Sequence, residues 1–277
     1  AGEPARALHL VVARMARRPS PDERIALRQL AGQCYAQMGD SRRAGALLRR
    51  VLPLVEGRPE HPKVAAALSL ALLKRGADAE ATRVVREALA SDVAIDDACR
   101  LDLLLNAAFA TSRAGSAAEA RELLAAARPL AEHASPRGRF RLASATAFVE
   151  YGAGATASAA RAYKESLELA EAHGLDDLVA SAALNYGSAC HEQGDLGRAL
   201  DAYNRGRRLA AALGMPTTEV TLSFDLAKVY ADIGSFDRAA LHAESTRSAA
   251  RRERMTLLEA GACAILADVA SAAGDHA

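Results

Sequence analysis

The segment 183–206, ALNYGSACHEQGDLGRALDAYNRG, brings together Tyr186, Cys190, His191, Glu192, Asp195, Asp201 and Tyr203. Residues of these types could hold a metal ion or run general acid–base chemistry. The spacing argues against both. HEQGD lacks the second histidine of the HExxH zinc pattern, and a turn interrupts the helix on which that pattern depends. GAGATA, at 152–157, imitates a GxGxxA dinucleotide fingerprint, but it follows a helical pattern where the fingerprint needs a strand. There is no GxxxxGK[ST] phosphate loop and no GxSxG elbow, and the seven histidines have no recurring companions that would suggest a triad. The sequence therefore predicts no catalytic residues, no metal and no cofactor, and the chain is not expected to be an enzyme.

Composition narrows the remaining choices. Alanine dominates, Trp is absent, and strand-favouring residues are thin beside Ala, Leu, Arg and Glu, which predicts an all-helical protein. The 35 basic and 34 acidic side chains nearly cancel and are interspersed, so no overall basic field exists to hold nucleic acid or an anionic membrane. Arg247, Arg251, Arg252 and Arg254 cluster, but Glu244 and Glu253 lie among them and no aromatic stands ready to stack on bases, which reads as a solvated helix end. Cys34, Cys99, Cys190 and Cys263 are far apart, as buried thiols of a reducing compartment would be. The arginine-, alanine- and glycine-rich usage fits a bacterial origin. With no apolar run long enough to cross a bilayer and arginines where a signal peptide would be apolar, the expected location is the cytoplasm.

The segment at 183–206 takes its meaning from a period that runs through the whole chain. Gly39, Gly76, Gly115, Gly154, Gly194, Gly234 and Gly274 follow one another at 37, 39, 39, 40, 40 and 40 residues. Five residues after each of the first six stands an alanine: Ala44, Ala81, Ala120, Ala159, Ala199 and Ala239. Seven residues before each glycine stands Gly32, Ser69, Ala108, Ala147, Gly187, Ala227 or Ala267, all small. Antiparallel helices that cross closely next to a tight turn need this pattern, because a larger side chain would force them apart. The glycine ends the first helix in a left-handed conformation, and Asp40, Asp195, Asp275, Ser116 or Ser235 is placed to cap the second. Ser116 with Glu119 has the form of a capping box. Larger residues nine positions after the glycines, Leu48, Val85, Leu124, Tyr163 and Tyr203, fill the core, and the prolines fall between pairs or near the end of a second helix, as Pro53 and Pro129 do.

With Asn185, Tyr186, Gly187, Gly194, Asp195, Ala199 and Tyr203 in register, the chain resembles the tetratricopeptide repeat family over essentially its whole length. It departs from that pattern in lacking the usual large aromatic near the start of each first helix and in having longer repeats. Long repeats of this kind are similar to those of MalT-like activators and of sensor segments attached to ATPases and kinases in bacterial regulators. The resemblance implies a right-handed superhelical solenoid of antiparallel helix pairs, a single domain over 1–277. Six full repeats, at about 25–61, 62–100, 101–139, 140–179, 180–219 and 220–259, lie between half repeats at 1–22 and 260–277. The chain opens at Gly2 and closes near Gly274 in the same phase of the repeat without polar capping elements, so it is expected to be a fragment of a longer protein.

The resemblance further implies a concave groove lined by first helices. Its register places Gln29, Gln33 and Gln37 at one end, Phe109, Arg113, Arg141, Phe148 and Tyr151 in the middle, and Asn185, His191, Phe224, Asp225, Lys228 and Asp232 toward the other end. Aromatics beside Arg are the usual anchors of a binding surface, although in tightly curled repeats the same rings could pack against neighbouring helices. A carboxylate clamp is disfavoured: Asn106 and Asn185 suit it, but Ala66, Leu70, Thr221 and Asp225 do not. The expected partner is a peptide or protein segment, with no nucleic acid, no membrane, and self-association left open. The expected role is the interaction module of a larger regulator. The alternative is a small-molecule or peptide sensor that controls a fused ATPase, kinase or DNA-binding domain.

Overall fold

The computed structural model describes residues 3–274, and every regular element among them is helical. The fourteen α-helices run α1 (Glu3–Met15), α2 (Pro21–Gln37), α3 (Ser41–Val51), α4 (His61–Leu73), α5 (Asp78–Leu89), α6 (Asp97–Arg113), α7 (Ala117–Glu132), α8 (Pro136–Gly152), α9 (Thr156–Ala172), α10 (Asp176–Glu192), α11 (Leu196–Ala212), α12 (Pro216–Asp232), α13 (Phe236–Glu253) and α14 (Thr256–Gly274). A short 3-10 turn, Leu52–Val55, extends α3 and contains Pro53. Contacts divide the chain into two compact units, one reaching Ala153 and the other starting at Gly154. In the first, α1 packs on α2, the pairs α2/α3, α4/α5 and α6/α7 stack in sequence, and α8 closes on α6 and α7. In the second, α9 packs on α10, the pairs α10/α11 and α12/α13 follow, and α14 lies on α12 and α13.

The turns form as the glycine period predicts. Gly39, Gly76, Gly115, Gly154, Gly194 and Gly234 all take φ between +73° and +86°, a region that a Cβ would disfavour. A second series was not anticipated: Gly174, Gly214 and Arg254, forty residues apart, take the left-handed conformation at the ends of α9, α11 and α13. Capping follows the expectation only in part. Asp40 and Asp195 accept hydrogen bonds from the backbone N–H of Arg43 and Arg198. Ser116 and Ser235 occupy the N-cap positions of α7 and α13 but make no side-chain cap, so the Ser116–Glu119 capping box does not form. The first helices that open after a loop bring their own caps, Ser20 for α2, Asp96 for α6 and Ser135 for α8. The proposed cap at Asp275 and the turn at Gly2 lie outside the described residues.

Each pair closes on the small positions. The six alanines five residues after the turn glycines are at most 1 % exposed. The packing also shows what the small residue on the first helix is for. A Cβ built on Gly187 would stand 2.5 Å from a ring carbon of Tyr203, and one on Gly32 would stand 2.7 Å from the Leu48 side chain. The large residue nine positions after the turn therefore docks flat on the small residue seven positions before it. Tyr203 is 1 % exposed and its hydroxyl donates to Ser188 Oγ at 3.1 Å, so the ring has no freedom to yield. Gly187→Ala should lower stability by about 1–3 kcal/mol through overpacking. Gly197→Ala on exposed α11 backbone, where nothing lies within 4 Å, should raise it by about 0.5–1 kcal/mol. Urea melts of the two variants should thus move in opposite directions.

Candidate functional site

In the first unit the helices α2, α4, α6 and α8 share one face, and a cleft of about 530 Å³ opens on it. Its apolar floor comes from Ala36, Ala66, Ala67, Leu70 and Ala98, with Gln33, Lys63, Asp96, Asp102 and Arg141 around it. These residues meet because they occupy the same side of successive first helices, one repeat apart. Lys63 pairs with Asp96 at 3.0 Å, while Asp96 also caps α6 through the Cys99 N–H at 2.8 Å. Cys99 lines the cleft, but burial pushes its thiol up to about 11, so at neutral pH it is a protonated, unreactive wall.

The cleft wall is held by a polar relay across three helices. Arg141 on α8 pairs with Asp102 and donates to Asn106 Oδ1 at 3.0 Å, both on α6. Asn106 is 1 % exposed and its amide donates to Ser69 Oγ at 2.8 Å and to the Ala66 carbonyl at 3.0 Å, both on α4. Ser69 closes the relay by donating to the same carbonyl. Burial pulls Arg141 down to about 10, which leaves it charged at neutral pH. A cation with little water around it gains most from the carboxylate and amide that face it, and its orientation is set by them.

The other residues singled out in the sequence fall into two groups. In the first unit, Phe109 and Phe148 meet with ring centroids 5.0 Å apart, and Phe109 is packed against two apolar clusters. Arg113 reaches Asp78 and the Leu73 carbonyl, so it ties the end of α6 to the turn between α4 and α5. Tyr151 is exposed at the end of α8. In the second unit, Asn185 is exposed on α10, and His191 Nε2 meets Asp232 Oδ2 at 2.5 Å across α10 and α12. Phe224 lies against Gly261 of α14, with Lys228 Nζ 5.8 Å from its ring centre. Lys228 is also 3.6 Å from Asp225, a carboxyl that burial raises above the usual range against the pull of Lys228 and His191. The structure thus brings Arg141 into a cleft and Arg113 into a helix junction. Lys63, Asp96, Asp102 and the buried role of Asn106 were missed in the sequence. One signal was present: Asp102 and Arg141 are 39 residues apart and His191 and Asp232 are 41 apart, hydrogen-bonding partners at one repeat length.

No protein-family model matches the sequence, and no curated protein is similar to it in sequence. Solved structures are similar in fold. A signal-transduction ATPase with numerous domains (STAND) that has a tetratricopeptide repeat sensor, from Pyrococcus horikoshii, superposes with a TM-score of 0.73 at 16 % identity, over 96 % of this chain and 43 % of that one. The fold is that of tetratricopeptide-repeat proteins. A Rap protein complexed with Competence and Sporulation Factor aligns at 0.64 and 12 % identity, over 91 % of this chain and 77 % of that one. PlcR of Bacillus thuringiensis, in complex with the peptide PapR7 and DNA, aligns at 0.63 and 14 %, over 74 % and 76 %. The chain spans less than half the length of the ATPase. In the tetratricopeptide-repeat fold the cleft lies on first helices, the elements that the repeat register assigned to a groove, and no helix of the described residues is long and apolar enough to cross a membrane.

Asn106→Ala should remove the amide that orients Arg141 and joins three helices, at a cost of about 1–3 kcal/mol in a thermal or urea melt. Asp225 makes a separate prediction. Its raised folded pKa means that stability is full below the ordinary carboxylate range and declines as pH rises through it, because the unfolded chain releases the proton first. Asp225→Asn should remove this decline, so its stability relative to the native chain should increase from acid toward neutral pH in melts recorded across that range.

Proposed function

We propose that the first-helix face of the first unit binds a peptide or protein segment, and that the chain is the interaction module of a larger regulator. The observation that carries this reading is the cleft of about 530 Å³ with a methyl-lined floor and a preset guanidinium on its wall. Pockets of about 300–1,000 Å³ with apolar lining and a few oriented polar groups are the usual form of a specific binding site. Arg141 enters as an anchor because Asp102 and Asn106 hold it before any ligand arrives, which limits the entropy lost on binding. Phe148 and Tyr151, on the same helix, extend this face in the proposal, while Asn185, His191, Phe224 and Lys228 belong to a corresponding first-helix face of the second unit. The peptide PapR7 bound by PlcR supports the choice of ligand class.

A second reading, a sensor that controls a fused ATPase, kinase or DNA-binding domain, is favoured by the relay itself. A ligand that draws Arg141 toward it acts on Asn106 and Ser69, and so on the spacing of α8, α6 and α4. The STAND protein with its tetratricopeptide repeat sensor offers a parallel for such coupling.

Random-peptide display against the native chain tests both readings. Sequences retained by the native protein should be lost by Ala67→Arg, which fills the half-buried floor, with the melting temperature unchanged. Recovery of the same sequences by Ala67→Arg would remove the cleft from consideration. For the sensor reading, the change that a selected peptide makes in the hydrogen exchange of α4 should shrink in Asn106→Ala, which breaks the relay and leaves the floor residues in place.

A further inference from the structure

The links that follow α7, α9 and α11 span only 133–135, 173–175 and 213–215, whereas those from α3 to α4 and from α5 to α6 run over 52–60 and 90–96. In repeat arrays such additions gather on one face, which is often a binding face. The two long links lie side by side in the first unit. Together they line a cavity of about 760 Å³ that shares no residue with the Arg141 cleft. Leu52, Pro53, Pro59 and Val93 supply its apolar walls. The first link is pinned: Val55 is 1 % exposed, the backbone N–H of Arg58 donates to the Val55 carbonyl at 2.9 Å, and that of His61 donates to the Arg58 carbonyl at 3.0 Å. With two prolines restricting the same segment, the walls are set before any ligand arrives.

The polar groups around this cavity present acceptors. Glu56 and Asp92 line it without an ion-pair partner among the described residues, and Glu87, 3.1 Å from Arg83, adds a third carboxylate. Ser91 gives its hydroxyl proton to the Ala88 carbonyl at 2.8 Å, which leaves its oxygen free to accept. His61 also lines the cavity, and its Nδ1 is shut from solvent with no hydrogen-bond partner among the described residues, a state that costs free energy until a donor reaches the ring. The last turn of α5 brings the negative end of the helix dipole to the same place. No Lys or Arg is among the lining residues. The one basic side chain of the two links, Arg58, is taken by Asp22 of α2 at 2.9 Å.

We propose that this cavity binds a guanidinium group carried on an alkyl stem. The planar cation offers several N–H donors at once and no acceptor, which matches acceptors supplied from two separate links. Its stem lies against the leucine and proline walls, and the volume falls within the range of about 300–1,000 Å³ usual for such sites. The group belongs either to a free small molecule or to an arginine side chain of a partner.

Amide spectra of the whole chain, titrated with n-butylguanidinium, with acetyl-Gly-Arg-Gly-amide and with the neutral isostere n-butylurea, test this. The signals of residues 56–61 and 91–94 should move saturably with n-butylguanidinium and stay in place with the urea. An equal response to the tripeptide assigns the site to an arginine of a partner, and none assigns it to a small molecule. Glu56→Gln with Asp92→Asn, both at exposed positions, should weaken binding by about tenfold with an unchanged melt. Val93→Trp should abolish binding by filling the cavity. Ala67→Arg, on the floor of the other cleft, should leave it intact, which separates this site from peptide binding there. No saturable shift with either guanidinium ligand, or an equal response to n-butylurea, would overturn the proposal. So would full binding by Val93→Trp, which would reduce the effect to diffuse attraction by surface carboxylates.

Discussion

The close approach of two helices on either side of a tight turn is the constraint on which everything else in this protein depends. It requires a left-handed glycine at the turn, an alanine with almost no exposure five residues later, and a small residue seven positions earlier that receives a large one. Gly187 beneath Tyr203 shows how exact the fit is, since even a methyl group would enter the ring. With this geometry repeated, each first helix presents the same side beside its neighbours within a unit, and residues one repeat apart become spatial neighbours. The cleft and its relay are consequences of that placement.

The polar side chains use the same spacing differently in the two units. In the first, Arg141, Asp102, Asn106 and Ser69 join α8, α6 and α4 in a chain of charge-assisted and neutral hydrogen bonds. In the second, His191 and Asp232 join α10 to α12, while Asp225 is left with Lys228 at 3.6 Å and a carboxyl raised by burial. A buried polar group adds specificity when its bonds are complete and costs stability when they are not. By that measure Asn106 is a structural link and Asp225, desolvated beside Lys228, is a cost. Ion pairs on the exposed side, such as Arg121 with Glu150, are solvent-screened and contribute little by comparison.

Expectation and structure part where a reading required a side chain to choose among partners. Ser116 and Glu119 have the composition of a capping box, but the Ser116 side chain makes no cap bond. Arg113 was placed beside the aromatics of a groove, and it instead bonds Asp78 and the Leu73 carbonyl at a helix junction. Phe109 and Phe148 were assigned to a groove by the register, and in the structure their rings meet with centroids 5.0 Å apart. Asn106 was weighed only as part of a carboxylate clamp, although its amide is consumed by Ser69, Ala66 and Arg141.

From the sequence alone came the helical class, the turn glycines and the alanines of each crossing. These are properties of backbone conformation and side-chain volume, which recur with the period and so can be read locally. Only the tertiary structure decided where the cleft opens, that Arg141 is held by Asp102 and Asn106, and that Arg113 is taken up at a helix junction. Those depend on which helix lies beside which and how much water reaches a side chain, and both are set by residues roughly one repeat distant in the chain.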